Sequence, residues 1–250
     1  DLTPGPSPAR RGETNPQPPA EPLPQASEAD TAKAKQILAD VTQAYGGLEK
    51  LKAVKTVSAK GRISAETPMG PMDMTLKQSS LLPNKWRSDM NIPQAGMDVS
   101  YIFNGQSGWM VTPQGPQPFP EFVVEEFRKG MARETIQLLV NLSVNQIPVQ
   151  YLGTEEVNGK LADVIGVNLF EDALKLFIDP ETRYIVKKAY RALGDEGPVD
   201  EEEFTDDYRE VGGIKMGYHV VTHRNGKPYA DITFSEIMVN VAVDASMFEK

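Results

Sequence analysis

Cysteine is absent from the 250 residues, which excludes disulfide scaffolds, thiolate zinc sites, cysteine nucleophiles, iron–sulfur clusters and lipid attachment at a cysteine. Long apolar runs are also missing. The longest are fragments such as Leu138-Leu139-Val140, far short of the length a bilayer-spanning helix needs, so no transmembrane segment is expected. Histidine is scarce, limited to His219 and His223. Their spacing in HVVTH invites a zinc reading, yet Val220 stands where a helical zinc-peptidase motif needs glutamate. On a strand the two rings would stand about 13 Å apart along one face, too far to share one ion. No Gly-x-Ser-x-Gly elbow occurs, and the Gly46-Gly47 and Gly212-Gly213 pairs lack phosphate-loop spacing and read as turns. No catalytic residue, metal or cofactor is expected, and the chain reads as non-enzymatic. Basic charge is outnumbered, with 26 Lys and Arg against 35 Asp and Glu and a formal net charge of −9. That argues against a nucleic-acid partner.

Proline is plentiful but uneven, with eight of the twenty in the first 24 residues. Residues 1–29 (DLTPGPSPARRGETNPQPPAEPLPQASEA) carry almost nothing large and apolar and read as a disordered linker or tether. The chain opens at Asp1 with neither methionine nor leader, as a processed form or a fragment would. Residues 30–250 hold the expected domain, long enough for one sizeable core.

Past Asp30, the residues Ala34, Ile37, Leu38, Val41, Ala44 and Tyr45 recur at helical spacing. Asp30 is the expected N-cap, Gly46-Gly47 the stop, and Leu48 to Val54 a short helical turn. Period-two alternation follows: Val57, Ala59, Gly61, Ile63 and Ala65 share one face of a strand, and the rhythm repeats through Met72 to Lys77, Trp86 to Ile92, Met97 to Phe103, and Trp109 with Val111. Later runs lie near 149–156, 161–171, 174–178, 184–190, 204–211, 214–223 and 229–240. Asn104-Gly105, Asn158-Gly159 and Asn225-Gly226 supply the positive backbone angles of tight hairpins, and Asp179-Pro180 and Gly212-Gly213 punctuate two further pairs. This predicts an antiparallel meander. One helix over 120–142 interrupts it, with Pro120 in its first turn and a stripe of Phe122 or Val123, Phe127, Met131, Leu138 and Leu142. The fold class is therefore α+β, an unclosed antiparallel half-barrel of about 10–11 strands with helices covering the concave face. The acidic tract from Asp195 to Asp207 fits no calcium loop and reads as a solvated loop or strand edge.

The stretch from Met69 to Met131 concentrates seven of the ten methionines (69, 72, 74, 90, 97, 110, 131) and both tryptophans. Methionine is unbranched and polarizable and adapts to varied apolar shapes, so a flexible apolar cavity between sheet and helix competes here with an ordinary core. The candidate ligand-binding residues are Met72, Met74, Trp86, Met90, Met97, Tyr101, Trp109, Phe127, Met131 and Leu138.

The order of helix, strands, inserted helix and further strands resembles the LolA/LolB type of lipoprotein-localisation fold. The resemblance is carried by AYGGLEKLKAVKT (Ala44 to Thr56), TPMGPMDMTLK (Thr67 to Lys77), FNGQSGWMVTPQG (Phe103 to Gly115), KLFIDPETRYIVK (Lys175 to Lys187) and DYREVGGIKMGYHVV (Asp207 to Val221). Some bacterial envelope domains of this superfamily follow insulinase-type zinc peptidases behind a Pro/Ala-rich linker much like residues 1–29. The resemblance implies a periplasmic or envelope-associated carrier or binding module for a hydrophobic ligand: an acyl chain, a lipid or an acylated lipoprotein. Arg62 on the first strand is then the candidate for the gating arginine of a LolA-like carrier. The chain departs from LolB in lacking a lipidated cysteine, and from insulinase peptidases in lacking His-x-x-Glu-His. The alternative is a structural or interaction domain, such as the non-catalytic accessory domain of an envelope zinc peptidase, with an envelope protein or the protease domain as its partner.

Overall fold

The computed structural model describes residues 23, 26–67, 70–170, 172–194 and 197–250. Most of the proline-rich segment and Met69 therefore lie outside the described residues. The first helix, α1 (Glu28–Ala44), starts two residues before Asp30. Ser27 is its N-cap: its hydroxyl accepts from the Asp30 N–H at 3.0 Å and donates to the Asp30 carboxylate at 2.6 Å. Asp30 thus acts one turn in, as the acidic partner of a reciprocal cap. Gly46 and Gly47 end the helix with φ of 116° and 89°, and α2 (Leu48–Ala53) follows.

Among the described residues, thirteen antiparallel strands form one sheet. The first six are β1 (Thr56–Thr67), β2 (Gly70–Leu81), β3 (Lys85–Ile92), β4 (Met97–Phe103), β5 (Gly108–Thr112) and β6 (Gly115–Pro118). The other seven are β7 (Val149–Val157), β8 (Lys160–Leu169), β9 (Asp172–Ile178), β10 (Ile185–Gly194), β11 (Gly197–Val211), β12 (Ile214–Arg224) and β13 (Lys227–Val239). Their order across the sheet is β6-β5-β4-β3-β2-β1-β13-β12-β11-β10-β9-β8-β7, with β6 and β7 at unjoined edges. The first half of the chain meanders outward from the centre. The helices then carry it across to the far edge, and the second half meanders back until β13 pairs with β1.

The strand count exceeds the sequence expectation. The short β6, GPQP, has a proline at every second residue, which masks its pairing in the sequence but suits an edge strand that needs few donors. The acidic tract is a second correction in part: Gly197–Val211 is a strand inside the sheet order, neither a loop nor an edge strand, while Asp200 and Asp206 stay open to solvent as expected, and Asp195 and Glu196 lie outside the described residues. At the turns, Asn158-Gly159, Asn225-Gly226 and Gly212-Gly213 all have paired positive φ values, as two-residue hairpins require. Asn104-Gly105 does not. There the Asn104 carboxamide accepts from the N–H groups of Gln106 and Ser107 at 3.0 and 2.9 Å, building a longer side-chain-closed turn.

The helix over 120–142 is in fact two helices, α3 (Glu121–Arg133) and α4 (Thr135–Val144), broken at Glu134, whose ψ of 131° is extended. The break lets two short segments cover different parts of a curved sheet. Val124 and Met131 of α3 pack with Trp86, Phe103, Phe119 and Phe127 over β3 and β4. Ile136, Leu138 and Leu139 of α4 join α1 and α2 over β7 to β10 in the larger core. Phe122 is 63% exposed and Val123 only half-buried, so Val124 takes the buried place expected of one of them. On the opposite, convex face, Arg87 donates to the Met247 carbonyl at 3.0 Å and ties a C-terminal 3-10 turn, Ala245–Phe248, beside β3.

Candidate functional site

Between the two cores the concave face is not filled. A cavity of about 590 Å³ lies beneath α3, over β2, β3 and β10 to β12. Its apolar wall is Trp86, Phe122, Val123, Phe127 and Met131. Phe127 holds that wall together, with ring centroids 5.6 Å from Trp86, 5.6 Å from Phe103 and 5.3 Å from Phe119. A second cavity of about 240 Å³ runs under the start of α4, lined in part by Val57, Ala59, Leu82, Ile136 and Phe234. Gln78, Trp86, Glu134, Lys188 and Glu203 line both, so the two meet there.

The other wall is charged. Lys188 is 5% exposed, and its ammonium sits 2.6 Å from Glu203 and donates to the Arg133 carbonyl at 3.3 Å. Arg224 pairs with Glu201 at 2.7 Å, and the Tyr190 hydroxyl donates to Glu201 at 2.8 Å. Arg133 pairs with Glu126, donates to the Arg191 carbonyl at 3.2 Å and lies over the Tyr190 ring at 4.1 Å, while its Nε has no hydrogen-bond partner among the described residues. Burial lowers the pKa of Lys188, but Glu203 and Glu134 more than offset that and hold it above its ordinary value. Burial, then the neighbouring Glu203 and Glu201, push the Tyr190 hydroxyl well above its ordinary value.

Of the ten residues singled out in the sequence, Trp86, Phe127 and Met131 line the larger cavity. Tyr101 stands behind them, stacked on Phe119 at 6.1 Å, and Leu138 is buried in the neighbouring core. The register puts Met72, Met74, Met90 and Met97 on the same concave face as Trp86, since paired side chains share a face. None of the four lines either helix-covered cavity. Met74 is four residues from Gln78, roughly 13 Å along the strand, so these methionines continue the floor past α3. Trp109 is on the other face. Met110 pairs with Tyr101 and Trp109 with Ile102, so a one-residue difference turns the indole to the convex side. Arg62 is also convex, because it alternates with Ile63, the partner of concave Met74. The polar wall went unread in the sequence. Its signal was the Lys187-Lys188 pair set against Glu201-Glu202-Glu203, which becomes meaningful only once β10 and β11 are in register.

An open antiparallel sheet whose concave face carries helices at both ends and a cavity between them can be compared with solved structures. A DUF1329 family protein from Desulfovibrio piger matches with TM-score 0.58 at 9% identity, over 88% of this chain and 97% of that one. A domain classed as an outer membrane lipoprotein-sorting protein, from Vibrio parahaemolyticus, matches with TM-score 0.57 at 10% identity, over the same shares. A LolA superfamily protein from Nitrosomonas europaea matches with TM-score 0.54 at 9% identity, over 86% and 97%. The fold is that of LolA-type sorting domains. The LolA-type likeness spans nearly all of each matched chain and rests on architecture, since identity is about one residue in ten. No sequence family and no curated protein matches the chain.

Proposed function

We propose that this LolA-type domain is a non-enzymatic carrier or binding module of the bacterial envelope, which holds an acyl chain, a lipid or an acylated lipoprotein in the cavity beneath α3. One observation carries the reading: a cavity of about 590 Å³ with an aromatic and methionine wall, inside the size range of small-molecule sites. Trp86, Phe127 and Met131 form the contact surface, and Met72, Met74, Met90 and Met97 extend it along the strands. Each methylene taken out of water contributes about 0.8 kcal/mol, so half a chain suffices for several kcal/mol. An unbranched thioether wall repacks around chains of different length.

The test is organic extraction and mass spectrometry of protein purified without detergent, beside Trp86→Ala and Phe127→Ala variants. Stoichiometric lipid in the wild type, diminished in folded variants, is the expected result. A wild type that carries no lipid and also binds no added alkylamine, monoacylglycerol, fatty acid or lipopeptide would sink the proposal.

A further inference from the structure

Each cation lining the two cavities already has a carboxylate of its own. Arg133 faces Glu126, Lys188 faces Glu203 and Arg224 faces Glu201. Lys215, at the far end of the smaller cavity, faces Glu210 at 3.9 Å. Glu134 is left over. It lines both cavities at their junction and keeps open space in front of it. Its carboxylate accepts no hydrogen bond among the described residues, and the charges that act on it are those of Lys188 and Glu203.

The position follows from the helix break. Glu134 sits between α3 and α4 in an extended conformation, so its side chain hangs over the junction and joins neither helical face. Glu134 is itself open to the solvent of the cavity, and the bulk of protein surrounding that cavity still raises its pKa above the ordinary carboxylate value, first by desolvation. A carboxylate in that condition gains from an incoming cation and repels an incoming anion. The neighbouring Lys188 cannot play that part, because its ammonium is committed to Glu203 and to the Arg133 carbonyl.

We infer that the ligand is an amphiphile with a cationic head, its chain against Trp86, Phe127 and Met131 and its protonated amine at Glu134. Single-chain amphiphiles with anionic heads are disfavoured, since among the described residues every cation lining the cavities is paired with a carboxylate and the one unpartnered guanidinium donor, Nε of Arg133, is buried away from the open space. This selectivity rests on the carrier reading above and adds to it the charge of the head group.

Decylammonium, decanoate and the uncharged monodecanoylglycerol share a chain length and differ in head charge, so titration calorimetry of each at neutral pH, as monomers, isolates the head. The wild type is expected to bind decylammonium at least about tenfold more tightly than decanoate, as a charged hydrogen bond provides. Glu134→Gln is nearly isosteric and is expected to bring decylammonium down to the affinity of decanoate, removing that preference. Equal binding of the three, tighter binding of decanoate, or a preference that survives in Glu134→Gln would overturn the inference and leave the carrier reading standing. Binding of none of the three would remove both.

Discussion

His219, on the convex face of β12, is held between two carboxylates: Nδ1 lies 2.9 Å from Asp206 and Nε2 3.1 Å from Asp231. Only the doubly protonated ring can donate to both. Partial burial lowers its pKa, but the hydrogen bond and charge of Asp206, followed by Asp231, outweigh that and hold it above 6.5. A group protonated more readily in the folded state stabilises that state fully below its unfolded pKa and ceases to do so as pH rises through the folded one. The stability advantage of wild type over His219→Asn should therefore be whole at about pH 5.5 and fade above about pH 6.5. Urea midpoints of the two proteins across that range measure it, and a pH-independent difference would remove the role given to the ring.

At the scale of elements, the β10–β11 hairpin is held by a ladder of ion pairs on both faces. Lys187–Glu202 at 2.5 Å and Arg191–Asp200 at 2.7 Å lie on the convex side, while Lys188–Glu203 at 2.6 Å lies under the helices. The convex pairs are partly open to solvent, and such pairs contribute about 0–1 kcal/mol each. The concave one is different, because removing a single partner strands a charge in a desolvated place. Lys188→Met is expected to cost about 3–5 kcal/mol in chemical denaturation, and adding Glu203→Leu to recover most of the loss. A double variant no more stable than the single one would show that Lys188 acts through its bond to the Arg133 carbonyl and not through Glu203.

At the scale of the whole molecule, the two meanders meet only at β1 and β13, and the helices sit at the two ends of the concave face. The unfilled middle is a consequence of that arrangement: α3 packs its apolar side on the first half and reaches β10 through Arg133 at its C-terminal end, α1 and α4 cover the second half, and the junction at Glu134 bridges the gap. A ligand that fills the gap binds the folded state alone and must stabilise it. With a bound amphiphile at about 100 times its Kd the wild type should gain about 2.7 kcal/mol. Phe127→Ala, which opens the aromatic wall, should be less stable in the absence of ligand and gain much less when it is added. Thermal or urea unfolding with and without amphiphile separates the two effects, and an equal gain in both proteins would place the ligand away from α3.

Alternating residues on β1 to β5 and glycine-bearing turns at Asn158, Gly212 and Asn225 made an open antiparallel sheet readable from the sequence, because periodicity and turn conformation are local properties. Trp86, Phe127 and Met131 were readable as one apolar surface for the same reason, being large side chains on strongly patterned elements. The face of Trp109, the break at Glu134 and the inward turn of Glu201 and Glu203 were not readable. Each depends on register or on a partner far along the chain: Met110 against Tyr101, α3 and α4 against opposite halves of the sheet, Glu203 against Lys188. Local chemistry determined which residues are apolar, which turn and which alternate. Only tertiary pairing decided which charges are buried, because a carboxylate enters a protein interior where a cation from another strand meets it.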